Sequence, residues 1–174
     1  SFHEHLNENK EYDIVHRIIT QSGKLKYVNE RCRTEFTVSG KPVKSIGTVS
    51  DVSDYLRIEQ ENKILSEIIK QSPVSVVITD LDGNIEYVND AFTEISGYTF
   101  QEVMGENPRI LKTENLSPNH YEMLWSKIKK GEIWGGEFIN KKKNGDTYIE
   151  KAIIGPIINE RGELIKYYGI KQDI

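Results

Sequence analysis

The chain has 174 residues, 37% of them hydrophobic, enough for the cores of one or two ordinary domains. It carries 23 basic and 27 acidic side chains for a net charge of −4, and its densest basic run, Lys141-Lys142-Lys143, is balanced by Glu137, Asp146 and Glu150. That run reads as a solvated hairpin tip and argues against a nucleic-acid surface. A single cysteine, Cys32, excludes an internal disulfide; the absence of an apolar run of spanning length or a signal pattern gives the expectation of a cytoplasmic piece without direct membrane contact.

Phe2 to Lys10 reads as a helix tail, with Phe2 and Leu6 on one face. Three strands follow, Tyr12 to Thr20, Leu25 to Val38 and Val43 to Val52, separated by turns at Ser22-Gly23 and Ser39-Gly40. Over residues 53–70 the period changes: Tyr55, Ile58, Asn62, Leu65 and Ile69 recur at spacings of 3, 4, 3 and 4. That is the a/d seam of a helix about 27 Å long, which either pairs with a second copy as a short coiled coil or packs on its own domains. Asn62 at an a position would set register if the helix pairs with itself.

From Ser72 the pattern is strand, hairpin, strand: Val74 to Thr79 and Ile85 to Val88 flank a turn at Asp82-Gly83. Short helices are expected over Asp90 to Ser96 and Thr99 to Met104, the second opened by a Thr99/Glu102 capping box. A longer helix, Asn119 to Lys130, carries Tyr121, Leu124, Trp125 and Ile128 on one face and stops at Gly131. Strands Trp134 to Lys141, Thr147 to Ile158 and Leu164 to Asp173 close the chain. The fold class is α+β, an antiparallel sheet with helices on one face.

Residues 11–52 superimpose without a gap on residues 133–174 at an offset of 122. Gly23/Gly145, Gly40/Gly162, Lys44/Lys166, Gly47/Gly169 and Asp51/Asp173 are identical. Two copies of one unit are implied, and only the second has the sixty-odd residues that precede its strands. The expected domains are therefore 1–52, the C-terminal half of a first unit; 53–70, a linker helix; and 71–174, a complete second unit. Bare strands over 12–52 would expose a sheet edge and an apolar face, so a covering partner or a dimer is expected.

The residues that carry a family resemblance are Ile78-Thr79-Asp80, Asp82-Gly83, Ile85-Glu86-Tyr87-Val88-Asn89, Ser96-Gly97-Tyr98, Asn107-Pro108-Arg109-Ile110-Leu111, Trp134, Gly136-Glu137, Asn144-Gly145 and Gln172-Asp173-Ile174. Together they resemble a PAS domain with its C-terminal PAC motif, while residues 11–52 resemble only the last three strands of that fold. The resemblance implies a five-stranded antiparallel sheet, short helices over a sensing cavity, and a kinase or diguanylate cyclase output domain beyond Ile174. Asp51 and Asp173 sit where the family leads into output helices and are read as signal relays.

Asn107 to Lys112 is similar to the flavin-binding motif of light-oxygen-voltage domains, but Pro108 stands where their photoadduct cysteine would be, which excludes that chemistry. The remaining pattern resembles the redox-sensing PAS domains of nitrogen-fixation and aerotaxis regulators, which hold FAD non-covalently. Carried onto this sequence, Trp125 and Trp134 would be walls, Asn107 and Asn140 amides for the ring edge, and Arg109 the cation for phosphate. Each has a plainer role available: Trp125 as core, Arg109 as a helix cap or a partner of Glu106. Asn140 replaces Ile18 of the first copy, and a buried amide is costly unless something bonds it. His16 aligns with Phe138 and reads as packing, and His120 as solvated; His3 and His5 have no third ligand nearby. No nucleophile–base pair, phosphate loop or metal triad is apparent. The expectation is thus a non-catalytic sensor that forms a homodimer through its linker helix and PAS surfaces, the alternative being a ligand-free interaction module.

Overall fold

The computed structural model describes residues 12–113 and 118–174; the helix expected over residues 2–10, with His3 and His5, lies outside them. The chain divides into two compact units, Ser1–Ile64 and Leu65–Ile174.

The first unit is a three-stranded antiparallel sheet, β1 (Tyr12–Ile19), β2 (Leu25–Phe36) and β3 (Pro42–Asp51), in the order β1-β2-β3. Alternation puts Tyr12, Val28 and Thr34, all buried, on one face. β3 is exposed along its whole length. Asp51 ends this strand with its carboxylate paired to Lys26 at 2.7 Å and accepting from the Ser53 N–H at 3.0 Å. Those bonds hold its pKa well below the usual carboxylate range. Helix α1 (Ser53–Lys70) begins there, matches the expected bounds and buries none of its residues.

The second unit opens with β4 (Ser75–Thr79) and β5 (Ile85–Val88). Helices α2 (Asp90–Ser96) and α3 (Phe100–Val103), a 3-10 turn (Pro108–Leu111) and α4 (Pro118–Ile128) follow. Strands β6 (Trp134–Lys141), β7 (Thr147–Ile158) and β8 (Leu164–Asp173) complete it. The sheet order is β5-β4-β8-β7-β6, every neighbouring pair antiparallel, so the last strand lies at the centre. The bounds of β6, β7 and β8 are those of β1, β2 and β3 shifted by 122.

Two buried clusters support this unit. One joins Val77, Ile85, Val88, Phe92, Val103 and Leu111; the other joins Leu124, Ile128, Trp134, Phe138, Ala152 and Tyr167. Asn89 fastens the entry to the sheet. Its Oδ1 accepts from the N–H groups of Val76 (2.8 Å) and Phe92 (3.2 Å), capping α2, while Nδ2 donates to the carbonyls of Ile69 (3.0 Å) and Val74 (2.9 Å). At 1% exposure, these are bonds that water cannot replace.

Three details differ from the sequence reading. The Thr99/Glu102 capping box forms, with Glu102 accepting from the Thr99 N–H at 3.0 Å, but the helix it opens is only four residues long. The segment after Asn107 is a 3-10 turn, because Asn107 caps it and Pro108 presets its first residue. Helix α4 ends at Ile128 rather than Lys130, because the Lys130 and Gly131 N–H groups tighten to i−3 carbonyls as Gly131 reverses the chain at φ 83°.

Candidate functional site

Between the two buried clusters of the second unit lies a cavity of about 380 Å³, within the range of small-molecule sites. Val77 and Thr79 of β4, Leu124, Trp125 and Ile128 of α4, and Phe138, Ile154 and Tyr167 of the sheet line it. Its lip is made by Gly83 and the segment 107–112. Gly83 is needed there twice over: its φ is +86°, and a Cβ would lie 2.8 Å from Asn107 Nδ2 and 3.2 Å from the Trp125 ring.

The sheet side of the cavity holds a buried polar triad. On β6, Asn140 is 4% exposed and its Nδ2 donates to Glu150 Oε1 at 2.6 Å. The Lys171 ammonium on β8 meets the same oxygen at 2.6 Å. Glu150, on β7, sits diagonally between them, opposite Phe138 on one side and Asp173 on the other. Lys171 Nζ also lies 5.5 Å from the Phe138 ring centroid. Burial pushes the neighbouring Tyr148 phenol up, and the Glu150 carboxylate adds to the rise. Asn140 and Lys171 line the cavity, and the Lys112–Thr113 segment pairs with the edge of β6 at this point, with Thr113 Oγ1 donating to the Ile139 carbonyl at 2.7 Å.

Of the five residues expected to bind a cofactor, four come together around this cavity: Asn107, Arg109, Trp125 and Asn140. Trp134 is not among its lining. Its ring is 5% exposed and packs against Phe138 (centroids 5.2 Å) and His120 (5.0 Å), in space left by Gly136, where a Cβ would lie 2.4 Å from the ring. Trp125 meets Tyr167 edge-on at 5.7 Å. Both ends of the Asn107 amide are used by the protein, Nδ2 on the Gly83 carbonyl (2.9 Å) and Oδ1 by Arg109 N (3.1 Å) and Nε (3.0 Å). Arg109 therefore pairs with Asn107 rather than Glu106. It is exposed, as is Lys112, so the cavity has cations on its solvent side. His120 is not solvated as expected: its Nε2 is buried without a hydrogen-bond partner, against Trp134 and Phe138. Among the described residues no group of three His, Cys, Asp or Glu could hold a metal, and no helix is long and apolar enough to cross a membrane.

Glu150 and Lys171 were not expected at the site. The signal for them lies in the offset of 122: the positions of Asn140, Glu150 and Lys171 are occupied in the first unit by Ile18, Val28 and Val49. Strands of the same length and register thus form with three aliphatic residues there. Burying two ions costs several kcal/mol each before pairing, and the strands themselves do not demand it. Apolar walls around adjoining donor and acceptor groups, with cations on the solvent side, fit a planar heteroaromatic ligand that has one polar edge and an anionic tail.

The PAS domain family profile matches residues 73–174. A nitrogen fixation regulatory protein of Klebsiella oxytoca is 29% identical over 116 residues, covering 67% of this chain and 23% of that protein. The aerotaxis receptor of Escherichia coli K12 is 36% identical over 93 residues, 53% of this chain and 18% of the receptor. The matched stretches thus span about a quarter or less of these relatives. Among solved structures, that of an RNA-binding light-oxygen-voltage receptor has a TM-score of 0.60 at 14% identity, covering 99% of this chain and 80% of that one. At that identity the likeness is one of fold.

Proposed function

The chain belongs to the PAS domain family, and from that premise we propose that residues 71–174 are a sensory module whose cavity takes up a flavin, FAD by preference, within a larger signalling protein. The Asn140–Glu150–Lys171 triad carries this reading. Its members replace aliphatic residues of the sister strands, and its two donor-bearing residues, Asn140 and Lys171, line the cavity. Bound flavin would supply reversible reduction; Arg109 and Lys112 would face its phosphates, Trp125 would wall the cavity beside Tyr167, and Asn107 would shape the lip.

Signalling would proceed through the sheet. A change in hydrogen bonding at the ring edge alters the Asn140–Glu150–Lys171 bonds, and Lys171 is two residues from Asp173 at the end of the central strand. A coupling of about 1–3 kcal/mol between cavity and output is enough for such a switch. Asp51 would play the same part ahead of α1. The output, of the histidine kinase or diguanylate cyclase type, would lie elsewhere in the parent protein, in the cytoplasm. The first unit, on this reading, is the C-terminal half of a second PAS domain, and residues 53–70 link the two.

The test is the colour of the purified protein and its response to added FAD and FMN. A yellow preparation with a flavin spectrum, or a raised thermal midpoint with either nucleotide that disappears in Asn140→Leu, supports the reading. A colourless protein whose midpoint moves with neither sinks it. A second reading, a ligand-free dimerisation module, is favoured by one observation, the exposed seam of Tyr55, Ile58, Leu65 and Ile69 on α1; it predicts a dimer and no bound chromophore.

A further inference from the structure

Among the described residues no Asp or Glu lines the cavity of the second unit, while Arg109, Lys112 and Lys171 all do. The three cations are not equivalent. Arg109 and Lys112 are exposed at the lip. The Lys171 side chain is buried, at 8% exposure, on the inner face of the central strand.

The Lys171 ammonium has three N–H groups to place. Glu150, whose side chain is 3% exposed, meets it at 2.6 Å, and among the described residues it has no other oxygen partner. Its remaining neighbour is the Phe138 ring, 5.5 Å from Nζ, which attracts positive charge without offering an oxygen. Asn140 shares the same carboxylate oxygen and lines the cavity too, but Glu150 does not line it. The donors of the triad are thus in the wall, and its acceptor stands behind them. A buried ammonium with donors to spare is costly unless the occupant of the cavity supplies the missing acceptor.

We infer that Lys171, with Asn140 beside it, makes the sheet side of the cavity a receptor for negative charge. A flat ring whose buried edge is anionic is held there more tightly than the same ring with a neutral edge. This contact is separate from the one Arg109 and Lys112 offer to an anionic tail at the lip. Its consequence for a flavin rests on the flavin reading given above. Two electrons and one proton convert the neutral oxidised ring into a reduced ring that keeps one negative charge. Lys171 would neutralise that charge, which gives the cavity a different affinity for the two states, as a sensor requires.

The test uses the 174-residue chain and two kinds of probe. Cinnamate and cinnamamide have nearly the same shape and differ in charge; their affinities are measured by calorimetry. The wild-type chain should prefer the anion by about tenfold or more, the usual worth of a charge-assisted bond. Glu150→Gln keeps the ammonium, removes the opposing carboxylate and should widen that preference. Glu150→Gln combined with Lys171→Met leaves no buried ion unpaired and should erase it. Arg109 and Lys112 are intact in both variants, so an anion held at the lip would show one preference throughout.

The second probe is FAD, reduced with dithionite against a reference dye. Tenfold tighter holding of the reduced ring raises its two-electron potential by about 30 mV. The wild-type chain should therefore lie above free FAD, Glu150→Gln higher still, and the double variant near the free value. Equal binding of cinnamate and cinnamamide overturns the inference. So does a preference for cinnamate that survives the double substitution, or FAD bound at one potential in all three chains. Uptake of none of these probes overturns it as well, since the cavity then admits no ring. A Lys171-dependent preference for cinnamate without uptake of FAD upholds the inference and discards the flavin reading. Uptake of FAD without selection by charge does the reverse.

Discussion

Strands β1–β3 and β6–β8 share lengths, turn glycines and pairing register, yet their inner faces have opposite chemistry. In one, the aliphatic residues Ile18, Val28 and Val49 hold the positions that Asn140, Glu150 and Lys171 hold in the other, where they form a buried, charge-paired cluster. The backbone pattern is set by alternation and by the turns, and it tolerates either set. What the inner face carries is free to follow a ligand. The first sheet thus serves as a control for the second: whatever both have is architecture, and whatever only one has needs a separate reason.

The comparison can be broken most forcefully at Lys171. Lys171→Val alone leaves Glu150 buried without its cation and should cost about 3–5 kcal/mol in urea unfolding followed by tryptophan fluorescence. Replacing all three residues by their sister counterparts, Asn140→Ile, Glu150→Val and Lys171→Val, should recover most of that loss in the same measurement. A triple variant as unstable as the single one would mean that the triad is architecture. Asn89→Ala tests the closure peculiar to the second unit. It removes four backbone contacts from a dry site and should cost about 2–3 kcal/mol by the same measurement.

A smaller effect is expected at Gly136, whose sister residue is Ile14 beside the smaller Tyr12. Gly136→Ala drives a methyl into the Trp134 ring and should cost about 1–2 kcal/mol. Trp134→Tyr in the same chain should relieve much of it. The least effect on stability is at Glu102, outside the repeat. The Lys143 ammonium, with help from the Thr99 cap, lowers its carboxyl from 4.5 to about 2. A lowered folded value means that the stabilisation is complete above the ordinary carboxylate range and fades as pH falls from 4.5 through about 2. Titration of the Glu102 carboxyl by NMR should give a midpoint near 2, returning toward the ordinary range in Lys143→Met.

Much of the fold was legible because local chemistry dictates it. The last three strands were bounded correctly from their alternation and from the glycine turns that separate them. Asn107 followed by Pro108 held enough information for the 3-10 turn, being a cap and a preset first residue. The site was harder for a physical reason. Glu150 entered only as a charge balancing Lys141-Lys142-Lys143, and Lys171 was not singled out, because charged residues on strands are usually solvated. Their burial depends on a partner on another strand, which periodicity within one strand does not reveal. His120 was misplaced likewise: its burial is decided by Trp134 and Phe138, more than ten residues away in sequence. Arg109 found its partner two residues back, in the cap, rather than in the nearest carboxylate.

The buried amide of Asn89 gives the end of α1 a fixed angular setting. Its Nδ2 grips the Ile69 carbonyl, one residue before the helix ends, and the same amide group caps α2 and anchors β4. Turning the helix by a single residue, about 100°, would carry that carbonyl out of reach and strand a donor in a dry site. Within the second unit the last turn of α1, the start of β4 and the start of α2 are thus held by one side chain, and loosening that amide would loosen all three together.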